Sequence, residues 1–156
     1  MTTEPRTSHP TTPTLVELRP QAAAVVHVEG PVEELPRLLG MAFDETAQAI
    51  TISGARFAGP PFARYLTMTP MIKAEVGFPY AGNLIPSGRV YRTTLPGGRA
   101  ACAVHIGPYD TLAATWEATQ AWLAAQGLTI AATPWESYRS EPDATPPVTE
   151  IVFPVV

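Results

Sequence analysis

The feature that most constrains the fold is that the chain is written twice. AVVHVEGPVEEL at 24–35 resembles CAVHIGPYDTL at 102–112, PPFARY at 60–65 resembles TPWESY at 133–138, and AEVGFPY at 74–80 resembles TEIVFPV at 149–155. Aligned on His27 with His105, Tyr65 with Tyr138 and Phe78 with Phe153, the matches keep their order at offsets of 78, 73 and 75 residues. One such pair arises easily by chance. Three in register argue for a duplicated architecture, in which two like units must pack side by side.

Each unit reads as strand, helix, strand, strand. AAAVVHV and AACAVHI are apolar runs of strand length that end on Gly-Pro signals. Val32, Leu35, Leu39, Ala42, Phe43, Thr46 and Ile50 form a helical stripe in the first unit; Pro36 fits only near its start. Tyr109, Leu112, Ala113, Trp116, Thr119 and Leu123 form the stripe of the second, with Pro108 before its first turn and Gly127 at its C-terminal cap. Strands are expected at about 61–68, 72–79, 134–140 and 148–154, with further strands near 15–19 and 88–95. LPGG at 95–98 reads as a hairpin turn leading into the strand of His105, and LRPQ at 18–21 is its counterpart. The predicted fold class is α+β: duplicated strand-helix-strand-strand units, two antiparallel sheets with helices on one side, and a groove between the halves. Unit one spans about 14–82 and unit two about 88–156, together one domain at 14–156.

Charged residues are 15% of the chain, against roughly 25% in typical soluble domains, which points to a large buried fraction. The net charge of −4 and the scattered Lys and Arg argue against a nucleic-acid-binding face. Residues 1–13 are polar and proline-rich and read as a disordered tail without the apolar stretch of a signal peptide. With one cysteine, Cys102, and no membrane-length apolar segment, a cytoplasmic, membrane-free setting is expected. Cys102 lies in an apolar strand and reads as an inert thiol. No metal-ligand pattern, phosphate loop or serine elbow is present, so no metal or cofactor is expected.

The two copies differ where it matters: Ala63 stands in the place of Glu136. The architecture therefore tolerates alanine there and does not demand the carboxylate. Strand alternation puts Glu136 and Tyr138 on one face and Trp135 on the other, under a helix. A carboxylate taken out of water is costly unless partnered, and a cation with aromatic surface offsets that cost through charge and cation–π contact. The competing reading is a solvent-facing edge glutamate paired with Arg64 or Arg139. Tyr138, its mate Tyr65, Tyr91, and the mates Phe78 and Phe153 are the candidate aromatic walls, each with core packing as the alternative. Trp116 and Trp122 read as helix-packing residues. His27 and His105, symmetrically placed, suggest a structural task such as bonding a backbone group; a general-base role is the alternative for His105. Glu75 and Glu150 also match across the halves and look architectural, with a second carboxylate near the groove as the alternative.

HIGPYD, a tryptophan-bearing helix, PWESY and TEIVFPV together resemble the C-terminal half of the GyrI-like small-molecule-binding domain, the effector-binding domain of BmrR- and AraC-type regulators. The resemblance runs from about Leu15 to Val156. It implies a pseudo-twofold fold with a ligand cleft between the halves and aligns Glu136 with a buried glutamate that receives flat, cationic, lipophilic compounds. Unlike the regulators, this chain has no room for a helix-turn-helix domain, so no direct DNA binding is expected.

Two functions are thus expected to compete. The first is a stand-alone module that captures lipophilic aromatic, cationic compounds for sequestration or sensing, with Glu136 for charge and Tyr65, Tyr138, Tyr91, Phe78 and Phe153 as walls. The second is a cofactor-independent hydrolase of strained, cyclopropane-bearing compounds, with Glu136 as base and Tyr138 or Tyr65 as donor. A protein partner, a regulator or gyrase, is a weaker third possibility.

Overall fold

In the computed structural model, which describes residues 12–141 and 144–156, the element order is the same in both halves. β2 (Gln21–Gly30) leads through a 3-10 turn at Val32–Glu34 into α1 (Leu35–Ser53), then β4 (Phe62–Thr67) and β5 (Ile72–Ala81). β7 (Gly98–Ile106) leads through a 3-10 turn at Tyr109–Thr111 into α2 (Leu112–Ala125), then β8 (Trp135–Tyr138) and β9 (Val148–Pro154). β1 (Thr14–Leu18) and β6 (Tyr91–Leu95) precede the two units. The two-residue β3 (Arg56–Phe57), too short for any sequence periodicity to mark, pairs with β5. Of the expected tail, only Thr12 and Pro13 lie among the described residues.

The helices form for the reasons their stripes suggest. α1 buries Ala42, Thr46, Ala49 and Ile50, and α2 buries Leu112, Thr115, Thr119 and Leu123. Thr46 and Thr119 donate their buried hydroxyls to the carbonyls of Ala42 and Thr115, each at 2.7 Å, so neither is left without a partner. α2 stops at Gly127 (φ 70°), where the amides of Gly127 and Leu128 bond back to Ala124 and Leu123. This is the left-handed termination that glycine allows.

The strands make one antiparallel sheet in the order β1-β7-β9-β8-β4-β5-β2-β6, which corrects the expectation of two sheets. The short strands β4 and β8 join the halves through the pairs Phe62–Ser137, Ala63–Glu136 and Arg64–Trp135. Side by side they pair backbone groups that two separate sheets would leave as open edges. The expected hairpin at LPGG is corrected as well: β6 pairs with β2 and β1 with β7, so the leading strands are exchanged between halves.

That exchange explains the curl of the sheet. β1 lies at one edge, yet only Arg19 and Pro20 separate it from β2, one place in from the opposite edge. So short a link requires the two ends of the sheet to come round toward each other, giving a half-barrel. The two exchanged links also meet. A Cβ at Gly97 would stand 2.5 Å from Cδ of Pro20 and 2.9 Å from the carbonyl of Leu18, so only glycine fits at the crossing.

Val25, Phe62, Leu95, Trp135 and Val152 fill the inside of the curl. Trp135 faces away from Glu136 as alternation requires; because both helices cover the Glu136 face, it lies inside the curl and not under a helix, a correction of the expectation. On the outer, helix-bearing face, Val26, Ile72 and Val76 of the sheet cluster with Ala42 and Ile50 of α1, and Ile151 and Phe153 with Leu112 and Leu123 of α2. Among the described residues, no helix is long and apolar enough to cross a membrane.

Candidate ligand-binding site

Over the central β4–β8 pair, between the two helices, lies a cleft of about 1220 Å³. α1 lines it with Leu35, Leu39 and Phe43; the turn into α2 and the helix itself line it with Tyr109, Leu112 and Trp116. Its floor is Tyr65, Glu136 and Tyr138. Ala63 is directly opposite Glu136 across the strand pair and fully buried. Cross-strand Cβ atoms are about 5 Å apart, so a long side chain at 63 would compete with Glu136 for the same space. The register of β4 slips just after Tyr65, a bulge that ends regular pairing where the tyrosine meets the cleft.

Glu136 is only 6% exposed and accepts two hydrogen bonds, both from neutral donors. Tyr138 donates to Oε1 at 2.8 Å and Trp116 Nε1 donates to Oε2 at 2.6 Å. Tyr65 and Tyr138 join hydroxyls at 3.1 Å. Burial pushes the Glu136 carboxyl above the ordinary carboxylate range, opposed by the bonds from Tyr138 and Trp116, by the field of His105 and, least, by the Tyr65 hydroxyl. Burial, with the Glu136 charge beside them, also pushes the hydroxyls of Tyr65 and Tyr138 well above the ordinary phenol range. The competing surface reading of Glu136 fails on geometry. Arg64 bonds Glu75 and Arg139 bonds Glu150 at 2.9 Å, leaving neither as its partner.

Of the six residues read from the sequence as site candidates, Glu136, Tyr138 and Tyr65 come together and three stand outside the cleft lining. Tyr91 is opposite Val25 in the β2–β6 register, on the face turned away from the cleft, and donates to Glu75 at 2.8 Å. Phe78 lies under α1, edge-on to Phe43 and Phe57. Phe153 lies under α2, edge-on to Trp116 at 5.0 Å. Both belong to strands one place further from the centre, where the helices cover them. Glu75 and Glu150 pair with arginines, so neither is a second carboxylate for the cleft.

The histidines are not equivalent. His105 is 2% exposed; Nε2 donates to the carbonyl of Pro108 at 3.0 Å and Nδ1 shares a hydrogen bond with the Thr115 hydroxyl at 2.7 Å. It thus ties the start of α2 to β7, the backbone-bonding task expected of both, and does not line the cleft. His27 is exposed and, among the described residues, its side chain bonds the nearby Glu29. His27 lies opposite Glu75 in the sheet, but the residue opposite Glu150 is Val104. One extra residue before Gly30-Pro31 shifts the phase, and a one-residue slip turns a side chain to the other face. Cys102 is half-buried, its thiol pushed up to about 11 chiefly by burial, consistent with an inert thiol.

Sequence reading missed Trp116, Tyr109 and Phe43 as cleft residues. All three sit on helical stripes or at their start, where an aromatic reads as packing. Trp116 does pack on Phe153, but its N–H holds Glu136. Tyr109 and Phe43 both meet Tyr138 edge-on, with ring centroids 6.3 and 6.1 Å away. Among the described residues, no cluster of three His, Cys, Asp or Glu could hold a metal ion.

With this geometry in place, comparison with known proteins gives a consistent picture. The C-terminal domain of EcmrR matches with a TM-score of 0.73 at 20% identity, covering 93% of this chain and 97% of that one. In an EcmrR–DNA complex the TM-score is 0.77 at 20% identity over 92% of this chain, which matches 57% of the EcmrR chain. SAV2435 bound to tetraphenylphosphonium matches with a TM-score of 0.63 at 12% identity over 94% of each chain. Identities this low speak to the fold alone, and none of the curated proteins compared matches. The family model of the GyrI-like small molecule binding domain, however, matches residues 11–156, and the chain belongs to that family.

Proposed function

We propose that this domain captures lipophilic aromatic cations in the cleft between its helices, for sequestration or sensing. The observation that carries the reading is the state of Glu136: buried, facing an aromatic-walled cleft, and held only by neutral donors. Such a carboxylate lacks a counter-charge. A cation entering the cleft supplies it, and Tyr65, Tyr109, Tyr138 and Trp116 offer ring faces and edges to an aromatic guest. Arg139, the cationic residue among those lining the cleft, is already engaged by Glu150.

The reading includes one domain at 14–156 made of two units, about 14–82 and 88–156, related by a pseudo-twofold between β4 and β8. Supporting it, the strand order reads alike from either end, and Ala63 and Glu136 are cross-strand neighbours at that centre. It also includes an aromatic small molecule as the partner and no direct contact with DNA, in keeping with the acidic balance.

The test is a pair of ions of one shape and opposite charge, tetraphenylphosphonium and tetraphenylborate. Wild type is expected to bind the phosphonium and reject the borate, and Glu136→Gln to lose about tenfold or more in phosphonium affinity, the loss of one charged interaction. Equal binding of both ions would sink the charge argument.

One observation favours a second reading, hydrolysis of a strained, cyclopropane-bearing electrophile. A buried carboxyl whose hold on a proton is strengthened by burial suits a general base, and two hydroxyls stand beside it. Catalytic addition of one water, seen by mass and absent in Glu136→Gln, is the expected sign of that activity; unchanged recovery of the compound would remove it.

A further inference from the structure

The hydrogen bonds around Glu136 form a chain with a direction, and Trp116 sets it. An indole N–H only donates, so Oε2 of Glu136 must accept, and only Oε1 is open to either role toward Tyr138. With Glu136 ionised, Tyr138 gives its single hydroxyl proton to Oε1. Its oxygen then accepts from Tyr65, 3.1 Å away. Tyr65 has no proton left, and its hydroxyl offers the cleft lone pairs only. Every polar atom on the floor is then an acceptor.

A proton added to Glu136 must settle on Oε1, because Oε2 faces the Trp116 donor. Oε1 now donates to Tyr138, Tyr138 donates to Tyr65, and the Tyr65 hydroxyl proton is turned out to the cleft. We propose that a single proton on Glu136 reverses this chain and converts the cleft from a receptor for aromatic cations into a receptor for neutral aromatic ligands bearing a carbonyl acceptor. The inference rests on the reading that the cleft binds ligands, and it adds a second ligand class.

The groups facing Glu136 allow both states. Tyr65 comes from β4, Tyr138 from its own strand, and Tyr109 from the turn before α2. His105 lies beyond on β7 with both ring nitrogens engaged. Glu117 on α2 and Glu141 lie further out on the lining, Arg139 is held by Glu150, and α1 contributes apolar residues to it. Among the described residues no cation bonds Glu136; the field of His105 favours its ionised form, and burial, the largest influence, favours the neutral one.

A substitution can freeze the reversed state. In Glu136→Gln the amide carbonyl must take the Oε2 place to accept from Trp116, which leaves the amide N–H groups toward Tyr138. Tyr138 then donates to Tyr65 at every pH, and Tyr65 donates into the cleft.

The experiment is equilibrium dialysis of 9-fluorenone, a neutral diaryl ketone, and tetraphenylphosphonium across mildly acid to mildly alkaline pH. For wild type, phosphonium affinity is expected to fall and ketone affinity to rise as pH drops. In Glu136→Gln, ketone affinity should be flat with pH and about tenfold above wild type at the alkaline end, the effect of one hydrogen bond to a ligand. Adding Tyr65→Phe to that variant should remove the gain. Phosphonium binding with a pH-flat ketone affinity in wild type, or a gain that survives Tyr65→Phe, overturns the inference and leaves the cation reading standing. Failure of wild type to bind either probe at any pH overturns both.

Discussion

Two carboxylates, Glu136 and Glu75, stand on opposite faces of the same sheet, and each accepts a tyrosine hydroxyl at 2.8 Å. What else they accept separates them. Glu75 takes the guanidinium of Arg64, at 2.9 Å from Nε and 2.5 Å from Nη2, while Arg64 also reaches Thr93 and the carbonyl of Thr94. Among the described residues, Glu136 has only neutral donors, the Trp116 indole N–H and tyrosine hydroxyls. One charge is neutralised within the fold, and the other is left facing a cleft. A buried carboxylate is thus informative through the charge of its partners more than through its burial.

The sharpest way to break this contrast is to remove the arginine. Both side chains of the Arg64–Glu75 pair are only 12–13% exposed. Arg64→Met leaves Glu75 buried beside a single neutral donor, and unfolding by denaturant should show a loss of about 3 kcal/mol or more. Glu136→Gln, by contrast, removes a charge the fold does not compensate, and stability near neutral pH should stay level or rise. A large loss in the second variant, or none in the first, would erase the distinction.

A smaller effect lies in the pH dependence. The Glu136 carboxyl is raised in the folded state, so the folded protein holds this proton at pH values where the unfolded chain has released it. Its contribution to stability is therefore full below the ordinary carboxylate value and declines as pH rises through that value toward the raised one. Phosphonium affinity should climb through the same window, because binding needs the ionised form. Opposite slopes for the two quantities, both flattened in Glu136→Gln, are the expected signature. Trp116→Phe removes a donor that serves the ionised form and should move both curves to higher pH.

The same contrast shows which parts of the molecule were legible in the sequence. Glu136, Tyr138 and Tyr65 could be read because the halves can be compared, and Ala63 marks the carboxylate as dispensable to the architecture. Trp116 could not: helical periodicity tells which face of α2 is covered, not that a glutamate waits beneath it. A lone indole among the Ala and Thr residues of that stripe was the available clue. Tyr91 was misplaced because no local pattern says on which face of the sheet an edge strand presents its alternate residues. LPGG carries a genuine turn signal, but the choice of strand partner is non-local, and the exchange of β1 and β6 leaves no mark in either link except Gly97. His27 and His105 were matched by identity, whereas the sheet matches His27 with Val104.

The smallest expected effect concerns Thr149, which completes the comparison of the two faces. Around Glu75, the side chains of Arg64, Thr93 and Tyr91 are all hydrogen-bonded. On the Glu136 side, Thr149 stands between His105 and Tyr138 in the sheet registers, fully buried, and its hydroxyl lacks a hydrogen-bond partner among the described residues. Both neighbours direct their polar atoms elsewhere, His105 toward α2 and Tyr138 toward Glu136. A buried hydroxyl without a partner costs about 1 kcal/mol or more, and valine has the same shape without that cost. Thr149→Val should therefore raise the unfolding free energy by up to about 1 kcal/mol. A loss of stability instead would mean that the hydroxyl finds a partner in solution and that the Glu136 face is as fully satisfied as the face of Glu75.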